Sequence, residues 1–269
     1  MKILITGNSG YIGSHLTNLL NKKYSVYGLD ICEPSIPVVE QYNRDIRYSP
    51  SFIDIEFDCV IHLAAKVSVN ESVINPILYY DTNIDGTKNV LSCIRSKSFI
   101  LASTGAAEYL SSPYAISKRV AEDIVKQYCM NYTIFRFYNV IGADCKSPTN
   151  PDGLMWNLIN AKNTGTFNLY GTDYNTKDGS PIRDYVHVNE ICHSIEKAIN
   201  NPSNSIENLG HGEGYSVIEM VKLFKEVNNV DFKVNFCDRR DGDLEKSVLN
   251  NPSQYMTKLY NIKDYLKVV

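Results

Sequence analysis

Tyr114 and Lys118, in Tyr-Ala-Ile-Ser-Lys, are the residues of this chain best spaced to move a proton. On a helix, residues four apart share one face, one turn from each other. A free tyrosine has a pKa of about 10, too high for an effective base at neutral pH. A nearby cation favours the phenolate, so an ammonium one turn away, or a positively charged cofactor ring, would activate it. Among 19 tyrosines only Tyr114 has lysine at this offset, although about one such pair is expected by chance. The pair follows an apolar run, 99–103, that ends at Ser103-Thr104, and a hydroxyl there could relay or orient a substrate proton. Thr104, Tyr114 and Lys118 are therefore the candidate catalytic residues; the competing reading is a Tyr/Lys pair on an exposed helix face.

Thr6-Gly7-Asn8-Ser9-Gly10-Tyr11-Ile12-Gly13 lies between an apolar run, 2–5, and residues Ile12, Leu16, Leu19 and Leu20 at helical spacing. Glycines at such a strand-to-helix turn let backbone amides approach a pyrophosphate at the helix N-terminus. Asp30 ends a second apolar run, 17 residues after Gly13. An acidic side chain there accepts from adenosine ribose hydroxyls and repels a 2′-phosphate. Ile31 and Cys32 are not basic, so the expected cofactor is NAD, held by Gly7, Gly10, Tyr11, Ile12, Gly13 and Asp30. A structural turn followed by a surface aspartate is the alternative.

These residues need strands and helices that bring them together. Runs at 2–5, 25–30, 59–63, 99–103 and 133–137 read as strands, with helices at 82–95 and 117–129 between them. Strands alternating with helices predict an α/β fold with a doubly wound parallel sheet. After about residue 139 the alternation weakens, and 144–153 and 171–181 are rich in Pro, Asn, Asp and Ser. Those loops suit a smaller domain over the carboxyl edge of the sheet. Ser216-x-x-Glu219 reads as a capping box opening an apolar helix. With 269 residues, 43% hydrophobic, 21% charged and a net charge of -3, the composition is that of a globular protein and gives no reason to expect a nucleic-acid or membrane partner. Seven scattered cysteines without a CxxC pair, and no targeting or membrane-spanning stretch, suggest a soluble protein of the reducing cytoplasm. The five histidines lack ligand spacing, so no metal site is expected.

The motifs together resemble the extended short-chain dehydrogenase/reductase family and, within it, the UDP-glucose 4-epimerases, over nearly the whole chain. Thr6–Gly13 is similar to the family's TGxxGxxG, and His62-Leu-Ala-Ala65 to its HxAA segment. Asp54-Ile55 resembles the pair that flanks adenine, and YYDTNIDGT at 79–87 the helix carrying an Asn near the cofactor. The resemblance thus adds Asp54, Ile55, Leu63, Ala64, Ala65 and Asn83 to the cofactor residues, with Tyr114 and Lys118 also touching NAD. It implies a Rossmann-type cofactor domain over 1–140 plus about 185–210, and a smaller α/β nucleotide-sugar domain over 141–184 and 211–269. Arg136-Phe-Tyr-Asn139 resembles RYFN, GTDYNTKDGSPIRDYVHV at 171–188 an epimerase signature, and Arg239-Arg-Asp-Gly-Asp243 an RRxGD segment. It implies a UDP-sugar substrate with Asn139, Arg183 and Arg240 at the phosphates, Tyr170 near uracil and Asp243 at the ribose.

Related dehydratases carry Asp-Glu after the Ser/Thr position, for elimination; here Gly105-Ala106 follows Thr104. The expected reaction is therefore NAD-dependent C4 epimerisation of a UDP-hexose through a 4-keto intermediate, with a nucleotide-sugar reductase or a non-catalytic NAD sensor as alternatives. The pattern departs from the family at three places. Only nine residues separate Thr104 from Tyr114. Gly153, beside Leu154, stands where a uridine-contacting Asn is usual. The small Ser247 stands where bulk excludes an N-acetyl group, so UDP-N-acetylhexosamines are expected to fit. A homodimer is a further implication of the family.

Overall fold

The apolar run after Met1 becomes a central strand because both its edges are paired. In the computed structural model, which describes residues 1–51, 53–240 and 243–268, β1 (Lys2–Thr6) has four of five residues buried. It is followed by α1 (Tyr11–Leu20), β2 (Ser25–Asp30), β3 (Gln41–Asn43), β4 (Cys59–His62), α2 (Val69–Ile74) and α3 (Pro76–Tyr80). A π-helical turn (Asp81–Asp85) leads into α4 (Gly86–Cys93), then β5 (Phe99–Thr104), a 3-10 turn (Gly105–Glu108), α5 (Pro113–Tyr128) and β6 (Tyr132–Phe137). The remainder comprises β7 (Asn139–Ile141), α6 (Leu154–Thr164), β8 (Thr166–Tyr170), β9 (Ile182–His187), α7 (Val188–Asn200), β10 (Ile206–Leu209) and β11 (Gly214–Ser216). α8 (Val217–Asn228), β12 (Lys233–Cys237), β13 (Lys246–Ser247) and α9 (Ile262–Tyr265) complete it.

The main sheet has the order β10-β6-β5-β4-β1-β2-β3, and the pairs from β3 to β6 are parallel. This is the Rossmann-type α/β architecture expected from the alternation. Strand order reverses between β1 and β4, so the segments after Thr6 and after His62 leave the sheet side by side. A crevice at the carboxyl ends of strands flanking such a switch point is where open α/β sheets bind ligands.

Residues Met1–Phe137 with Cys192–Glu207 form one compact unit, and Tyr138–Ile191 with Asn208–Val269 a second. The first is built on a core that includes Leu4, Leu29, Phe57, Val60, Leu101 and Ile134. In the second, β9 pairs with β7, β11 and β13, and β8 with β12, over a core that includes Met155, Leu158, Phe167 and Phe224. Ser216 and Glu219 form the expected capping box of α8.

Two helices differ from the sequence reading. α5 begins at Pro113, four residues before the expected start, because Ser112 accepts the Ala115 N–H and Pro113 occupies the first helical position. The segment expected as one helix over 82–95 is instead a π-helical turn joined to α4, which stops at Cys93.

Candidate active site

The turn after β1 is shaped by how closely its backbone packs. Gly7 has φ +76°, and a Cβ there would sit 2.7 Å from the Ala64 nitrogen. A Cβ on Gly13 would sit 2.0 Å from the Gly7 carbonyl oxygen. Neither position admits a side chain, so the turn presents bare backbone ahead of α1, whose first residues are Tyr11 and Ile12. Gly10 is the N-cap of that helix and its N–H donates to the Gly7 carbonyl at 3.1 Å. Asp30 is tied to the same turn: its two oxygens accept from the Ser9 and Cys32 N–H groups, each at 3.0 Å. A carboxylate has about four lone-pair sites, so acceptor capacity remains for ribose hydroxyls.

Leu63, Ala64 and Ala65 leave β4 beside this turn, where the Ala64 N–H donates to Thr6 Oγ at 3.3 Å. Asn83 is buried and grips the next residue of that segment. Its Oδ1 accepts the Lys66 N–H at 2.8 Å, and its Nδ2 donates to the Lys66 carbonyl at 3.0 Å and to Ser117 Oγ at 2.9 Å. Asp54 pairs with Arg95 at 2.7 Å and is highly exposed, while Ile55 packs against the core. The glycine turn, the Asp30 carboxylate and the N-terminus of α1, which no side chain caps, fit an NAD pyrophosphate and adenosine.

Tyr114 lies in the first turn of α5 and Lys118 one turn later, with Lys118 only 4% exposed. Burial pushes the Tyr114 phenol up to about 12, opposed by a hydrogen bond with Thr104. The Thr104 oxygen accepts the Ala106 N–H at 3.2 Å, which leaves its own proton available to donate. Burial pushes Lys118 down to about 8, against the pull of Glu122. The lowering of the tyrosine expected from the lysine is therefore not found in the protein alone, where burial dominates and Thr104 is what opposes it.

Glu122 carries a second buried cluster that the sequence reading missed. Arg136 donates to its two oxygens at 2.8 and 2.7 Å, and Ser103 donates at 2.5 Å. Glu122 is fully buried. Its signal was present as a glutamate four residues after Lys118 on the same helix, facing a strand arginine. Tyr79 packs edge-on to Tyr114, with ring centroids 6.3 Å apart.

In the second unit the expected sugar-nucleotide residues fall into couples. Arg183 lies 3.7 Å from Asp243, and the Arg240 guanidinium sits 4.0 Å above the Tyr170 ring. Asp178 and Asp184, the acidic neighbours that could have occupied Arg183, are engaged elsewhere. Asp178 accepts from Ser180 and Ser216. Asp184 is buried and accepts the backbone N–H groups of His211, Gly212 and Leu249. Asn139 donates to the Asp184 carbonyl at 3.1 Å. Leu154 opens α6 behind its N-cap Gly153, and Ser247 pairs in register with Arg183 on β9. Arg239, which the sequence reading left without a role, stacks on Tyr174 at 4.0 Å and pairs with Asp173. Asp241 and Gly242 of the RRxGD-like segment lie outside the described residues.

A family model described as the NAD dependent epimerase/dehydratase family matches residues 3–210. A UDP-glucose 4-epimerase of Haemophilus influenzae is 31% identical over 297 aligned positions, covering 91% of this chain and 88% of the relative. A solved UDP-glucose 4-epimerase from Thermus thermophilus, in complex with NAD, is 27% identical, with a TM-score of 0.80 over 93% of this chain and 90% of that one. Another from Bifidobacterium longum, in complex with NAD+ and UDP, is 25% identical, with a TM-score of 0.84 over 99% and 96%.

Proposed function

Because the chain belongs to the NAD-dependent epimerase/dehydratase family, we propose that it inverts C4 of a UDP-hexose, interconverting UDP-glucose and UDP-galactose. The observation that carries this reading is the half-buried Tyr114 and the buried Lys118 on one turn of α5, with Thr104 acting on the phenol and Gly105-Ala106 in place of the acid–base pair an elimination needs. Bound NAD supplies the acceptor and then the donor of the C4 hydride, and a positive ring charge that favours the phenolate. Gly7, Gly10, Tyr11, Ile12 and Gly13 hold its pyrophosphate, Asp30 its adenosine ribose, and Asp54 and Ile55 flank its adenine. Leu63, Ala64, Ala65, Asn83 and Lys118 lie on its nicotinamide side.

Tyr114 takes the proton of the C4 hydroxyl and Thr104 orients that oxygen. The resulting 4-keto sugar turns while its nucleotide stays fixed, and Tyr114 returns the proton once C4 has been reduced on the opposite face. Arg183 and Arg240 hold the diphosphate with Asn139 nearby, since planar donor forks match phosphate oxygens. Tyr170 and Leu154 lie by the uracil and Asp243 by its ribose. To bind, the nucleotide exchanges the Arg183–Asp243 pair and the Arg240–Tyr170 stack for its own contacts. Ser247 leaves room at C2, so UDP-N-acetylhexosamines are substrates as well.

Incubating the purified protein with UDP-glucose and with UDP-GlcNAc, without added cofactor, and following the sugar by NMR tests this. Galacto-configured product from both is expected. Product only with stoichiometric added NADH would support a reductase instead, and turnover of UDP-glucose alone would refute the assignment of Ser247. The protein is further proposed to be a homodimer, which light scattering on the purified protein would check. Seven free cysteines suit a reducing cytoplasm, and no described helix is long and apolar enough to cross a membrane.

A further inference from the structure

The buried hydrogen bonds beneath Tyr114 run in one direction, and an imidazole sets that direction. Thr87 Oγ lies 2.7 Å from the Asn83 carbonyl, which can only accept, so the single Thr87 proton is committed there. His62 Nε2, 3.0 Å from the same Oγ, must then be the donor. The other ring nitrogen, Nδ1, therefore accepts from Thr6 Oγ at 2.7 Å, while the Thr6 oxygen receives the Ala64 N–H. Beyond Thr87 the order continues through Asn83, whose amide clasps Lys66 and donates to Ser117. Ser117 in turn donates to the Tyr114 carbonyl at 2.8 Å. Thr6, His62, Asn83, Thr87 and Ser117 are each 0–1% exposed, so water cannot substitute for a lost partner.

We propose that His62, fixed as the neutral Nε2–H tautomer, is a positioning residue that locks the Ala64–Lys66 segment and the first turn of α5 into one register, and so places Tyr114 and Lys118 for proton transfer. It hydrogen-bonds to neither of them, its two ring nitrogens being taken by Thr6 and Thr87. It acts through Thr87 and the π-helical turn that carries Asn83, the kind of local insertion that recurs at functional sites. A protonated imidazole would turn Nδ1 into a donor facing Thr6 Oγ, which already accepts the Ala64 N–H, and would leave the Thr6 proton without its acceptor. The site guards against this: burial, with the Lys118 charge adding to it, pushes His62 down to about 3. The effect on turnover rests on the epimerase reading above; the bond directions do not.

The test uses the purified holoprotein labelled with 15N-histidine and 15N-asparagine. Two-bond 1H–15N spectra are expected to give His62 as the Nε2–H tautomer, unchanged from about pH 8 to about pH 5.5. The Asn83 side-chain amide protons are expected to exchange slowly, and at least about tenfold faster in His62→Phe. That variant should lose roughly ten- to a hundredfold in kcat with KM for UDP-glucose within about twofold. His62→Gln, which keeps one donor and one acceptor, should recover part of the loss. If His62→Phe is insoluble, the near-isosteric Thr87→Val carries the same comparison. An Nδ1–H tautomer, an imidazole that titrates near its ordinary pKa, or a folded variant with native exchange and kcat would overturn the proposal. If the wild type does not epimerise, the functional reading fails, and the tautomer and Asn83 exchange still decide whether His62 positions this segment.

Discussion

Burial acts on Tyr114 and Lys118 in opposite senses, and each shift has a consequence that can be measured. Lys118 falls from the ordinary 10.5 to about 8, so below about pH 8 the fold carries a buried charge it would hold more easily when unfolded. Stability linked to this group rises between about pH 8 and the unfolded value. Lys118→Met should therefore stabilise the protein at pH 7, by an amount on the order of 3 kcal/mol at most, while abolishing turnover. The gain should disappear by about pH 10.5, and melting curves across pH read both effects. Tyr114 is raised to about 12, so its contribution runs the other way and is lost between about pH 10 and 12. Tyr114→Phe should keep the native melting temperature to within a few degrees and lose at least about a thousandfold in kcat; a smaller loss would remove Tyr114 as the proposed base.

At the level of elements, α5 is anchored to β5 and β6 by an ion pair with no exposed side. Glu122, fully buried, accepts from Nε and Nη2 of Arg136 and from the Ser103 hydroxyl. Glu122→Ala would leave the buried guanidinium with only the more distant, half-exposed Glu108 carboxylate, 3.9 Å away, and should cost up to about 3–5 kcal/mol in urea unfolding; replacing the whole triad with apolar residues should cost less. The link between β5 and α5 is short and strained at one point. After the 3-10 turn Gly105–Glu108, Leu110 takes φ +53°, where a side chain costs about 1–2 kcal/mol. Leu110→Gly removes that crowding but loosens the unfolded chain, so a net gain of about 0.5–1 kcal/mol is expected. No gain would mean the neighbours of Leu110 already compensate.

For the molecule as a whole, neither unit is a continuous stretch of chain. The chain passes between units at 137/138, inside α7 at 191/192 and inside β10 at 207/208. A fragment ending at Phe137 lacks Cys192–Glu207, including the buried Ile195, Ala198 and Ile199 of α7. Removing those side chains uncovers apolar surface worth several kcal/mol, at roughly 2 kcal/mol each for the larger ones. Expressed alone, the fragment should be insoluble or lack a cooperative melt. A fragment that binds NAD and unfolds cooperatively would show that the returning segment is dispensable.

Order along the chain was enough to read the parallel sheet, the glycine turn before α1 and the Tyr114/Lys118 spacing. Each depends on local periodicity or on backbone a few residues long: β1 is apolar at 3–5 because both faces of the sheet are buried there, and a shared helix face is fixed at four residues. Helix ends were less legible, since the Ser112 cap of α5 and the π-helical turn before α4 depend on which backbone groups find partners in the folded chain. What only the tertiary structure decided is what lies opposite each charged or polar group. Glu122 meets Arg136 across 14 residues, Arg183 meets Asp243 in place of the nearer Asp178 and Asp184, and His62 meets Thr6 and Thr87 from opposite sides. Those meetings set protonation states, because desolvation and hydrogen-bond direction are properties of a site in space, and a linear pattern records neither.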